Sequence, residues 1–189
     1  MEDYQHVHNF HYDEQQRRKI QNPEQILQDI GIREGMSFVD LGCNDGFFTI
    51  PAAKIIGNTG RVYGLDINQQ AIDSLKNKLQ SINYKNYQLK CAKAEEMVFN
   101  DGIADIVFLG TVLHDFMDPL KVLSNAKKLL KNKGILVNLD WQKKDTKLGP
   151  PLEIRFSAKY AANLIEQADF KIKSTANLSK LYYLIIAKY

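Results

Sequence analysis

Five short apolar runs, separated by stretches of helical periodicity, constrain this chain more than any other feature. The runs are MSFVDL (36–41), RVYGLDI (61–67), YQLKCA (87–92), IADIVFLG (103–110) and GILVNLDW (134–141). Between them lie FFTIPAAKIIG (47–57), NQQAIDSLKNKLQ (68–80) and DPLKVLSNAKKLLKN (118–132). Strands so rich in Val, Ile and Leu offer no polar face to water, so helices are expected on both sides of a parallel α/β sheet. After a further helix, SAKYAANLIEQAD (157–169), the rhythm breaks. FKIKSTA and LYYLIIAKY are joined by NLSK with no helix between them, which reads as a hairpin and predicts one antiparallel strand at the end of the sheet.

Local signals agree with this division. Asn22-Pro23 opens the first helix, with Gln25 at the third position of a capping box; Asn68 and Asp118-Pro119 open two more, and Gly57 ends one. A length of 189 residues fits one domain. Hydrophobic residues at 44% and charged residues at 25% are those of a water-soluble globule. A net charge of +3 and no block of like charge argue against nucleic acid as partner, and Lys127-Lys128 and Lys143-Lys144 read as solvated surface. With no apolar leader at the start and no run near the ~18 residues of a membrane span, a cytoplasmic location with Cys43 and Cys91 reduced is expected. Oligomeric state is not legible.

The segment SFVDLGCNDGFFTI (37–50) runs from a buried strand through a glycine-bounded turn into a helix. Gly42 and Gly46 let the backbone approach a ligand, and Asn44 stands where a third glycine would be expected. Asparagine is the non-glycine residue best suited to positive φ, so the turn survives the change. Asp66 ends the second strand 20 residues after Gly46, where a carboxylate can accept both ribose hydroxyls of an adenosine. Nicotinamide cofactors and S-adenosylmethionine share these two features. The missing third glycine, and Phe47-Phe48 at the helix start, leave no seat for a pyrophosphate, which favours a cofactor without phosphates.

These motifs resemble those of class I S-adenosylmethionine-dependent methyltransferases, in the small-molecule branch with ubiquinone/menaquinone C-methyltransferase-like proteins. VDLGCNDG is similar to the first motif, GLDI to the acidic second, AKAEEMVFNDGIADIVFLGTVLHDF to the adenine-binding turn and fourth strand, and LKNKGILVNLDW to the fifth strand. The resemblance spans residues 22 to 189. It implies a Rossmann-like, doubly wound seven-stranded sheet, mostly parallel with an antiparallel C-terminal strand. It also implies a cofactor site: Asp40, Gly42, Cys43, Asn44 and Gly46 from the first motif under the methionine, Asp66 on the ribose and Ile67 on the adenine face. Ala94 and Glu95 line the adenine edge, and Gly110 and Thr111 meet the methionine amino group. Lys93 stands where many relatives carry an aspartate, leaving the adenine amine to Glu95 or a backbone carbonyl. Competing readings are an NAD-dependent oxidoreductase and a non-catalytic module that binds S-adenosylmethionine.

Methyl transfer needs mainly alignment, and a base only if the acceptor must lose a proton. His114 and Asp115 in TVLHDF are placed for that task; the alternative is that His114 orients the loop. No Asn/Asp-Pro-Pro-aromatic motif follows the fourth strand. Cys43 lies in the cofactor turn and Cys91 ends a core strand, so neither serves cytosine C5 chemistry, and a small-molecule acceptor is expected. In this fold, residues 1–21, with Tyr4, His6, His8, Phe10, His11 and Tyr12, form a lid or tail, and residues 141–157 the other substrate wall. The histidine spacing fits no helix face, so no metal is expected. Arg155 pairs either with an acidic substrate group or with Glu153.

Overall fold

The computed structural model describes residues 14–96 and 98–189. The expected lid residues Tyr4, His6, His8, Phe10, His11 and Tyr12 lie outside them. Two helices, α1 (Glu14–Ile20) and α2 (Pro23–Asp29), come first. Then follow β1 (Ser37–Leu41), α3 (Thr49–Ile56), β2 (Arg61–Asp66), α4 (Gln69–Ser81) and β3 (Tyr87–Cys91). The second half holds β4 (Ala104–Gly110), a 3-10 turn (Leu113–Asp115), α5 (Pro119–Leu129), β5 (Leu130–Trp141), α6 (Ala158–Gln167), β6 (Lys171–Asn177) and β7 (Tyr182–Lys188).

One seven-stranded sheet runs in the order β3-β2-β1-β4-β5-β7-β6. β7 lies antiparallel to both β5 and β6, and every other pairing is parallel. The connection between β6 and β7 is too short for a crossover, so the last strand must reverse and slot between its predecessors. Alternation along the strands feeds two cores. Val39 and Leu41 belong to one core with Val122 and Leu123 of α5 and Ala161 and Ile165 of α6. Phe38 belongs to the other, with Leu27 of α2, Ala52 of α3 and Leu75 and Leu79 of α4. Each fully buried Val, Leu, Ile or Phe side chain among them contributes about 1.5–3 kcal/mol.

The expected caps form. Asn22 accepts from the Gln25 amide (3.2 Å), Asn68 from those of Gln70 (2.9 Å) and Ala71 (3.3 Å), and Asp118 from that of Lys121 (2.9 Å). The reciprocal half of the capping box does not: the Gln25 side chain turns to Asp29 (2.8 Å). Two boundaries and one burial also differ from the pattern. α3 starts at Thr49 with Phe48 as its N-cap residue, and Phe47 and Phe48 are both buried at the helix start, Phe48 packing on Phe108 with ring centres 4.6 Å apart. β5 begins directly at the end of α5, four residues early, through an irregular register between Ala104 and Ile106. Cys91, expected at the end of a core strand, is exposed, because β3 is the edge of the sheet and only its inner neighbour covers it. Among the described residues no helix is long and apolar enough to cross a membrane.

Strand order reverses between β1 and β4, and at such a point the loops beyond the strand ends part to leave a crevice. The segments after β1, β2 and β4 all open onto it.

Candidate active site

The turn after β1 is pinned to β2 before any ligand arrives. The amides of Gly42 and Cys43 both donate to Leu65 O, at 2.8 and 3.0 Å. Gly42 has φ +80, and a Cβ there would sit 2.6 Å from Val112 Cγ2. Gly46, at φ +96, would meet Leu75 Cδ1 at 2.5 Å, so this glycine lets α4 close against the turn. Asn44 holds φ +44, the left-handed region its type tolerates. That conformation aims its amide at Asp66 Oδ2 (2.8 Å), while the Asn68 amide donates to Asp66 Oδ1 (2.9 Å). Each carboxylate oxygen therefore keeps lone pairs for a further donor. Ile67 beside it is 70% exposed, an apolar surface awaiting a partner.

Asp40 points into the core under the turn and accepts from the Thr49 hydroxyl at 2.6 Å. Burial pushes its carboxyl up to about 7; Asp66 adds to the rise, while the Thr49 bond and Arg17 oppose it. Cys43 is buried, and burial together with Asp40 and Asp66 drives its thiol far above the ordinary range. It can offer a ligand its backbone but no thiolate.

On the far side, Gly110 ends β4 against Phe48, and Thr111 follows at φ +62. A β-branched residue in this region costs of order 1–3 kcal/mol. The strain is sustained by the Thr111 amide bonding Leu139 O (2.7 Å) and its hydroxyl bonding Gly110 O (2.6 Å). Ala94 and Glu95, in the loop after β3, are fixed from α5: Asn125 Nδ2 donates to both carbonyls, at 3.1 and 2.8 Å. Glu95 Oε1 accepts from the Asp118 amide (3.3 Å). Asn125 escaped the sequence reading, although a polar residue on the apolar stripe of Val122, Leu123, Ala126 and Leu129 signals it.

His114 lies in the 3-10 turn with its side chain only 1% exposed. Nδ1 donates to Asp140 Oδ1 (2.8 Å), and Nε2 faces Asp115 Oδ1 at 3.4 Å. Burial pulls the imidazole pKa down, yet the bond to Asp140 and the charges of Asp140 and Asp115 outweigh it, so the net shift is upward; Arg155 opposes them. Asp140, a second residue the sequence reading missed, is fully buried in β5, and its Oδ2 has no hydrogen-bond partner among the described residues. A charge inside the apolar run LVNLDW was its signal. Asp115, with its side chain 35% exposed, is the most exposed member of this group. Arg155 is engaged by its own loop. It is buried and donates to the carbonyls of Pro150, Gln142, Lys144 and Leu148 and to Thr146 Oγ1, stapling the loop between β5 and α6.

A family model described as a methyltransferase domain matches residues 32–182 of this chain. The chain belongs to that methyltransferase family. With the family comes its cofactor, S-adenosylmethionine. Demethylmenaquinone methyltransferase of Staphylococcus aureus (strain MRSA252) is 32% identical over 117 residues, 62% of this chain and 48% of that relative. The chain thus spans about half the length of the curated relatives it matches. A SAM dependent methyltransferase from Aquifex aeolicus superposes with a TM-score of 0.86 at 26% identity, over 90% of this chain and 91% of its own. The [4+2]-cyclase SpnF reaches a TM-score of 0.77 at 14% identity, over 88% of this chain and 80% of that one, a likeness of fold alone.

The turn of this methyltransferase fits its cofactor. A Cβ at Gly42 would be too close to Val112, which keeps the floor flat, and Asp66 stands ready beside exposed Ile67. No glycine opens α3 for phosphates.

Proposed function

We propose that the chain methylates a small, planar, largely apolar acceptor of the quinol or phenol class. The observation that carries this reading is the convergence on the strand-order reversal of a twice-anchored Asp66 with two strained or left-handed residues, Asn44 and Thr111. Strain of this kind persists where a site must be pre-shaped. The acceptor class rests on two further points: Met117, 84% exposed close to Asp115 in sequence, and a relative named for demethylmenaquinone.

Bound at the turn, S-adenosylmethionine supplies an electrophilic methyl group. Asp66 holds the ribose hydroxyls, Ile67 packs on the adenine, and Ala94 and Glu95 border it. Gly42, Asn44 and Gly46 pass under the methionine, with Asp40 and the Cys43 backbone beneath, and Gly110 and Thr111 bind its amino group. Asp115 faces the acceptor and takes its hydroxyl proton. His114 acts from behind: Nε2 can relay that proton from Asp115, and Asp140 stabilises the imidazolium through Nδ1.

Methyl-labelled S-adenosylmethionine, incubated with the protein and a demethylated naphthoquinol bearing a short isoprenoid chain, tests this directly. Labelled quinol that disappears with Asp115→Asn supports the assignment. Binding of S-adenosylhomocysteine without transfer to any quinol or phenol would refute the acceptor class.

A further inference from the structure

The methionine end of the cofactor carries a carboxylate, and acids surround the turn: Asp45 within it, Asp66 bonded to the Asn44 amide and Asp40 buried below. An anion arriving there needs a cation close by. Three stand beside the turn. Lys78 is committed to Asp45, with Nζ 2.6 Å from Oδ2 and 3.1 Å from its carbonyl. Arg18 is committed to Glu14 (3.1 Å) and Glu24 (2.8 Å). Arg17 is different. Its guanidinium carbon lies over the Phe47 ring, 3.9 Å from the centre, and its one hydrogen bond among the described residues runs from Nε to Gln21 Oε1 (2.9 Å).

Among the described residues neither terminal nitrogen of Arg17 has a hydrogen-bond partner, and they are the pair that grips a carboxylate through two parallel bonds. Arg17 also lines a cleft of about 210 Å³ together with Asp45, Gly46 and Phe47, so its head lies at the rim of the turn. Stacking on Phe47 and the bond to Gln21 fix the fork in advance, which lowers the entropy lost on binding.

We propose that Arg17, from α1, binds the α-carboxylate of the cofactor's methionine moiety and so selects ligands that carry an intact amino-acid end. This rests on the cofactor assignment above and adds a recognition residue outside the matched methyltransferase domain.

The test compares two ligands by calorimetry: S-adenosylhomocysteine, which carries the carboxylate, and 5′-methylthioadenosine, which lacks the amino-acid end. Arg17→Met keeps an unbranched side chain over Phe47 and removes the charge. The expected result is a loss of roughly 10- to 100-fold for S-adenosylhomocysteine, with 5′-methylthioadenosine affinity unchanged within about threefold. Arg17→Lys should recover part of the loss, because a point charge replaces the fork. Equal affinity of Arg17→Met and the unaltered protein for S-adenosylhomocysteine would overturn the proposal. So would equal losses for both ligands, which would make Arg17 a prop for the turn. Failure of the unaltered protein to bind either ligand would instead remove the cofactor site itself, and Arg17's role with it.

Discussion

At the scale of single residues, the site depends on backbone conformations that few side chains accept. Asn44 takes φ +44 and thereby directs its amide to Asp66. Asn44→Gly should leave S-adenosylhomocysteine affinity within about threefold, whereas Asn44→Val should lose roughly 1–3 kcal/mol of binding or of fold stability, since a β-branched residue resists this region. Calorimetry and denaturation of the two variants check it, and a valine variant equal to the parent would show that the turn does not require the conformation. Asp40 makes a prediction of a different kind. Burial raises its carboxyl from 3.8 to about 7, so the folded chain holds a proton that the unfolded chain has released between those values. Stability must therefore fall as pH rises from about 4 to about 7. Asp40→Asn can still accept from Thr49 but has no charge to bury. In the ligand-free protein it should be more stable than the parent at pH 8, by on the order of 3 kcal/mol, with the advantage fading toward pH 4. Urea melts at the two pH values measure this.

At the scale of elements, part of the candidate site is held in place by a helix that does not enter it. α5 reaches across to the loop after β3 through Asn125, whose amide holds the carbonyls of Ala94 and Glu95. Asn125→Leu fills the same volume yet strands both carbonyls. A loss of about 1–3 kcal/mol in unfolding free energy is expected, with weaker binding of adenosine, since the bordering loop is no longer fixed. A variant as stable as the parent would mean that water replaces the asparagine without cost. The 3-10 turn after β4 is likewise tied to β5 by His114 and Asp140, so residues far apart in sequence set the position of Asp115.

At the scale of the whole molecule, the proposed ligand site lies where strand order reverses, between β1 and β4, and ligand binding there should report on the entire fold. A ligand held only by the native state adds about 2.7 kcal/mol at a hundred times its Kd. For a domain of this size, each kcal/mol moves Tm by roughly 2–4 °C. S-adenosylhomocysteine at that concentration should raise Tm by about 5–10 °C in a thermal scan, and NAD at equal concentration should not. Stabilisation by NAD alone would return the chain to the oxidoreductase reading that the missing third glycine argues against.

The sequence by itself determined what depends on near neighbours along the chain. Alternation of apolar strands with amphipathic helices required a two-sided parallel sheet. The short NLSK connection required the reversed strand, and Asn22, Asn68 and Asp118 capped the helices they precede. Positive φ at Asn44 was equally legible, because the glycines around it and the residue type itself already limit the backbone. Only the tertiary structure decided which distant groups meet. His114 faces Asp140 because the register of β4 on β5 brings them level; Arg155 spends its charge on its own loop, and Arg17 lies on Phe47 because α1 folds back over the turn. Local spacing carries no record of such contacts. They follow from packing two cores onto one sheet, and the charges then pair with whatever the packing has placed beside them.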